Sequence, residues 1–242
     1  MNKKRKCIVA SAIALVILLF LSIIILPFNM TKTFSADDYY FALDFCIELD
    51  DDIPVMSQTT NFTCFAVSMA IVRNYFNFET TEESLLRELD ILNLKEGLLP
   101  IDYLSYANKA FSPLSFSVSM LNPKSQAEIL NIVTESLVNG LPVVFFYSAI
   151  DDWFKPKYNT HYGVIYGIDM SKQTVKISNP YGYLEELSFE ELFEGLSFQS
   201  YESEPLLFHF GRMAGYIKPN NLFVLEIVDS EKQLKNLSLL DR

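Results

Sequence analysis

Histidine is the scarcest chemistry-bearing residue in this 242-residue chain: there are two, His161 and His209. So few sharply limit any histidine-based metal centre or acid–base scheme. Cysteine is nearly as rare. Cys7, Cys46 and Cys64 form no CxxC pair, which excludes a disulfide framework and a thiolate zinc site. A single Cys46–Cys64 disulfide stays open for an oxidising compartment. No GxxxxGK[ST] phosphate loop occurs. Glycine is scarce, and there is neither a low-complexity tract nor an internal repeat, so a fibrous or disordered protein is excluded. Positive charge is also short, with 19 Lys and Arg against 30 Asp and Glu, a net of −11. Four of the cations, Lys3, Lys4, Arg5 and Lys6, precede the first apolar run. Taking them from the total leaves −15 on the rest. Such a body is a poor nucleic-acid binder, because phosphate must be neutralised by cations.

What is present begins with a long apolar run. Cys7 to Phe28, CIVASAIALVILLFLSIIILPF, carries no charge and is long enough to cross the ~30 Å hydrocarbon core. A cleavable signal peptide has a shorter apolar region of ~7–15 residues and a small-residue cleavage site. Neither fits here, since Asn29-Met30-Thr31-Lys32 follows directly. The expectation is an uncleaved signal anchor, with the basic residues in the cytoplasm and the remainder translocated. The chain then divides into a cytoplasmic tail and anchor (1–28), a tether (29–52), a folded domain (53–228) and a C-terminal tail (229–242). Half of all residues are hydrophobic, enough for a substantial core.

Within the domain the periodicity changes part-way. Tyr39 to Leu49 can supply a strand, and Asp50-Asp51-Asp52 a solvated turn. The stretch Pro54 to Phe76 runs from an extended segment through a polar turn into an apolar helix. Thr63 is the expected N-cap, offering its hydroxyl to an unpaired backbone N–H. Further helices are expected over 81–92, 100–111 and 124–139, with Gly140 as the C′ residue of the last. Strands are expected over 114–120, 142–147, 161–168, 174–178 and 222–228, with a turn at Asn179-Pro180-Tyr181-Gly182 and a short helix over 189–195. Residues 196–221 show weak periodicity and read as loop. Helices first, then mostly antiparallel strands, is an α+β pattern.

The chemistry gathers on four residues. Cys64 stands at or beside the first helical position, where the helix macrodipole favours a thiolate. Gln58, on the strand side of the turn, can offer its amide to an oxyanion. His161 starts one strand and Asn179 ends the next. A tight turn between antiparallel strands can bring them together, so that Asn179 orients the imidazole and the ring faces Cys64. Trp153, in the loop Asp151-Asp152-Trp153, either rims the cleft and contacts substrate or packs in a solvated loop. His209 has no matching partner and reads as structural or surface.

Gln58-x5-Cys64 at a helix start, GLPVVFF, THYGVIYGID and VKISNPYG, in that order, resemble the C39-like peptidases of the papain-like superfamily. The resemblance covers roughly residues 53–228. It implies a papain-like cysteine peptidase fold, with a helical N-terminal half and an antiparallel sheet in the C-terminal half. It also implies Cys64 as nucleophile, His161 as general base, Asn179 as orienter and Gln58 at the oxyanion hole. Two positions depart from the pattern. Phe65 stands where the family usually has Gly, and is expected to crowd the cleft or narrow specificity. Asn179 stands where Asp is more frequent, which keeps the orienting bond and loses the charge. The expected partners are a peptide or protein substrate and the membrane, with no cofactor and no metal. Hydrolysis, acyl transfer to an amine, and binding without catalysis all remain open at this level.

Overall fold

The computed structural model describes residues 44–49, 53–92, 100–150, 158–197 and 218–228. The expected anchor at 7–28, the acidic run 50–52, Trp153, His209 and the tail 229–242 lie outside these residues. Among the described residues no helix is long and apolar enough to cross a membrane.

The elements follow in the order β1 (Cys46–Glu48), α1 (Cys64–Tyr75), α2 (Glu82–Leu89), α3 (Pro100–Phe111), β2 (Phe116–Leu121), α4 (Gln126–Val138), β3 (Val143–Ile150), β4 (Tyr158–Asp169), β5 (Thr174–Asn179), β6 (Tyr183–Ser188), α5 (Phe189–Ser197) and β7 (Asn221–Ile227). Helices dominate the first half and strands the second, which is the expected α+β arrangement. One sheet runs β2-β7-β3-β4-β5-β6, with β1 paired to the end of β4. Every pairing is antiparallel.

Helix α1 is buried from Cys64 through Arg73 and packs on β4. A helix apolar on nearly all sides must lie inside the domain. Its one buried cation is matched: Arg73 Nη1 donates to Glu88 at 2.9 Å, and the guanidinium lies 4.4 Å over the Phe78 ring. Helix α2 starts as its sequence requires. Thr81 accepts the Ser84 N–H, and Ser84 accepts the Thr81 N–H in return, which satisfies two donors the first turn leaves unpaired. Ser125 caps α4 through the Glu128 N–H, and Gly140 follows that helix with φ +73°, a conformation that costs glycine little.

Two local expectations are corrected. Thr63 does not cap α1: it has φ −105° and ψ 9°, no cap hydrogen bond, and its hydroxyl donates to Thr60 O instead. A backbone outside the extended region aims the hydroxyl away from the first turn. The turn is held from α2, because Glu82 accepts both the N–H and the hydroxyl of Thr59 at 3.0 Å. The second correction is strand β6, which the sequence reading passed over between the Gly182 turn and α5. It pairs with β5 along its whole length, from Thr174↔Ser188 to Asn179↔Tyr183. Its YLEELS sequence lies half exposed at the sheet edge, so its alternation of apolar and polar residues is blurred.

Candidate active site

The segment leading into α1 runs against the turn that follows β5. An isolated bridge joins Ser57 to Tyr181, and the Gln58 N–H donates to Pro180 O at 2.7 Å. The segment before Cys64 is therefore stitched to the turn after Asn179. Gly182 permits this in two ways. Its φ is +91°, and a Cβ there would meet the Ser57 Cβ at 3.0 Å, so both conformation and space exclude a side chain.

His161 on β4 and Asn179 at the end of β5 are both buried, and His161 Nε2 lies 2.9 Å from Asn179 Oδ1. The amide orientation is fixed from both ends. Oδ1 accepts the Tyr181 N–H at 2.9 Å, while Nδ2 donates to Glu185 Oε1 at 2.7 Å. An oxygen so presented makes Nε2 the protonated ring nitrogen, and proton exchange falls to Nδ1. The Tyr181 ring stacks on the imidazole, with centroids 4.3 Å apart and planes 8° from parallel. Cys64 lies at the N-terminus of α1, and the backbone N–H of Tyr162, the residue directly after His161, is among the groups that favour its thiolate. The thiol therefore meets the β4 backbone beside the histidine. The Gln58 side-chain Oε1 is buried without a hydrogen-bond partner among the described residues.

The Peptidase_C39 like family model matches residues 50–202, more than half of the chain. The chain belongs to the Peptidase_C39 like family. Membership supports assignment as a C39-like cysteine peptidase. The chain is also similar to solved structures. A chain described as a C39-like peptidase from Bacillus anthracis superimposes with a TM-score of 0.52 at 15% identity, covering 76% of this chain and 98% of that one. A double glycine motif protease from an AMS/PCAT transporter, solved with its leader peptide, gives 0.47 at 14%, covering 74% and 97%. Xylellain, a cysteine protease from Xylella fastidiosa, gives 0.41 at 13%, covering 78% and 88%. No curated protein matches the chain.

Two sequence expectations change in this C39-like domain. Phe65 does not reach a cleft. It is 1% exposed, with its ring 3.8 Å from Tyr103 and edge-on to Tyr162 at 5.7 Å. One step along a helix turns a side chain by ~100°, and here that step points Phe65 into the core. The thiol is the second. The helix position was expected to lower its pKa, and instead it rises to about 11. Burial removes water from the sulfur and disfavours the anion. The N–H groups of Tyr162, Phe65 and Cys64 pull the other way and recover only part of that shift. Cys46 and Cys64 are both free thiols, Cys46 exposed and Cys64 buried.

Tyr181 and Glu185 were not foreseen as site residues. Tyr181 was legible only as part of a turn. Glu185 shares a β6 face with Tyr183 and Leu187, a period-two signal that would have pointed to it had β6 been recognised. Trp153, the other expected substrate contact, falls outside the described residues.

Proposed function

We propose that the protein is a membrane-anchored thiol hydrolase that cleaves peptide bonds outside the cytoplasm by a Cys-His-Asn mechanism. The single observation that carries the mechanism is the Nε2–Oδ1 bond between His161 and Asn179, with the backbone N–H of the residue after His161 favouring the Cys64 thiolate. A hydrogen-bonded Nε2 leaves Nδ1 to take the thiol proton. Because the thiol is held near pKa 11, the proton leaves as the sulfur attacks rather than beforehand. In the first step the S–C bond forms while Nδ1 accepts the proton, and the carbonyl oxygen gains negative charge near Gln58 and the α1 N-terminus. The imidazolium then returns that proton to the leaving amine as the C–N bond breaks. Water, deprotonated by His161, attacks the thioester and releases the acid and the free thiol.

The anchor rests on the uncharged run from Cys7 to Phe28 and the four cations before it. In intact cells, a membrane-impermeant thiol reagent should reach Cys46 from outside; labelling only after lysis would overturn the topology. For the mechanism, Cys64→Ala should reduce hydrolysis of a peptide library to background. Retained hydrolysis would sink the assignment. The buried, neutral thiol also favours a second reading, a binding cleft without catalysis. In that case wild type and Cys64→Ser would bind the same peptides and neither would cleave them.

A further inference from the structure

Asn179 supplies His161 with a hydrogen bond and no charge. The carboxylate stands one bond further out. Glu185 lies on β6, two residues beyond Tyr183, the register partner of Asn179. Its Oε1 accepts Asn179 Nδ2 at 2.7 Å, and the Tyr147 hydroxyl donates to the same oxygen at 3.4 Å. The chain of contacts therefore crosses three neighbouring strands: His161 on β4, Asn179 on β5 and Glu185 on β6.

We infer that Glu185 is a positioning residue for His161, holding the Asn179 amide in register and placing a negative charge, relayed through that amide, behind the imidazolium. The inference rests on the thiol-hydrolase reading, because an imidazolium forms only if His161 takes a proton.

The surroundings support a charge role. Glu185 borders a cavity of about 100 Å³, and the described residues lining it include Tyr147, Tyr181 and Tyr183 with Glu191 and Glu194 of α5. None of those lining residues is cationic. Among the described residues, the hydrogen-bonded path from Glu185 runs through Asn179 to His161. Burial raises the Glu185 pKa above its ordinary value, and the bonds from Asn179 and Tyr147 offset part of that rise in favour of the charged form. The tyrosines flank the carboxylate as neutral groups, and Glu191 opposes it as a like charge. The Tyr181 N–H shares the task of orienting the amide. What Glu185 adds beyond orientation is charge.

The test uses the full-length protein, and the two histidines make the imidazole signals simple to assign by NMR. Glu185→Gln keeps the size and an acceptor oxygen and removes the charge. An anion that stabilises imidazolium raises its pKa, so this variant should lower the His161 pKa by roughly 0.5–1 unit. kcat should fall roughly tenfold with KM unchanged, as when outer partners of a working imidazole are removed. Asn179→Asp should also impair the enzyme, because it sets two carboxylates at hydrogen-bond distance. The double variant N179D/E185Q restores one negative charge directly on Nε2, and should recover activity and raise the His161 pKa. An unchanged His161 pKa in E185Q would overturn the inference, and so would a double variant no better than N179D. If wild-type hydrolysis survives Cys64→Ala, the thiol-hydrolase reading fails on its own, and the His161 titration still decides the role of Glu185.

Discussion

Cys64 at the start of α1 and His161 on β4 have surroundings that differ in kind. Around Cys64 the groups are apolar. Ala66, Val67, Ala70 and Ile71 follow it down a buried helix, and Phe65 fills the space between Tyr103 and Tyr162. Around His161 the groups are polar and mutually bonded: Asn179, the Tyr181 N–H, Glu185 and the Tyr147 hydroxyl. Desolvation governs the first half and raises a pKa. Hydrogen bonding governs the second and fixes a tautomer. In the proposed mechanism, a nucleophile held neutral and a base held in one orientation together make proton transfer the step on which the chemistry depends.

The strongest way to break this comparison is to remove either member of the pair. Cys64→Ala and His161→Ala should each reduce kcat by roughly 10³-fold or more, with little further loss in the double variant, because such groups act as a unit. Additive losses, measured by single-turnover hydrolysis, would show that the two halves work independently.

Asn179→Ala attacks the polar half alone. It leaves the buried His161 Nε2–H without its acceptor and deprives Glu185 of its shortest bond. A loss of about 1–3 kcal/mol in unfolding free energy is expected, the cost of unmatched buried polar groups. Urea titration would measure it, and a change under half of that range would mean that water repairs the network.

The apolar half has its own signature in pH. The Cys64 pKa rises from 9.0 to about 11 on burial. The folded state then binds a proton that the unfolded chain releases between those values. Its contribution is complete below pH 9 and is lost as pH climbs towards 11. Wild type should lose up to ~3 kcal/mol across that window, and Cys64→Ser should lose less. Thermal midpoints at pH 8, 9.5 and 10.5 would compare them. Iodoacetamide should alkylate Cys64 slowly at neutral pH; rapid alkylation there would reveal a thiolate and reverse the contrast.

The smallest effect is expected where the halves are joined by a ring. Tyr181→Leu removes the stack on the imidazole, worth ~0.5–1.5 kcal/mol. The His161–Asn179 bond should survive, so the NMR signal of the Nε2–H should persist while kcat falls a few-fold.

Much of this was legible in advance where local chemistry decides. Thr81, followed by two glutamates and spaced leucines, opens a helix. The apolar face of α4 ends at a glycine with positive φ. His161 and Asn179 could be paired from sequence because a short antiparallel connection permits few registers. The cap at Thr63 failed because its backbone, at φ −105° and ψ 9°, leaves the extended region from which a hydroxyl reaches the first-turn N–H groups. Strand β6 failed because an edge strand exposes one face and two of its acidic residues look like a loop.

The sequence by itself determined the residue types available for catalysis, the order of most helices and strands, and the candidate pairing of His161 with Asn179. Those follow from local periodicity and from scarcity. Only the tertiary structure decided that Phe65 belongs to the core, that the thiol is raised rather than lowered, and that Glu185 stands behind Asn179. Each of these depends on how much water a packed neighbour removes, or on which strand lies alongside. Neither quantity exists until distant segments are brought together.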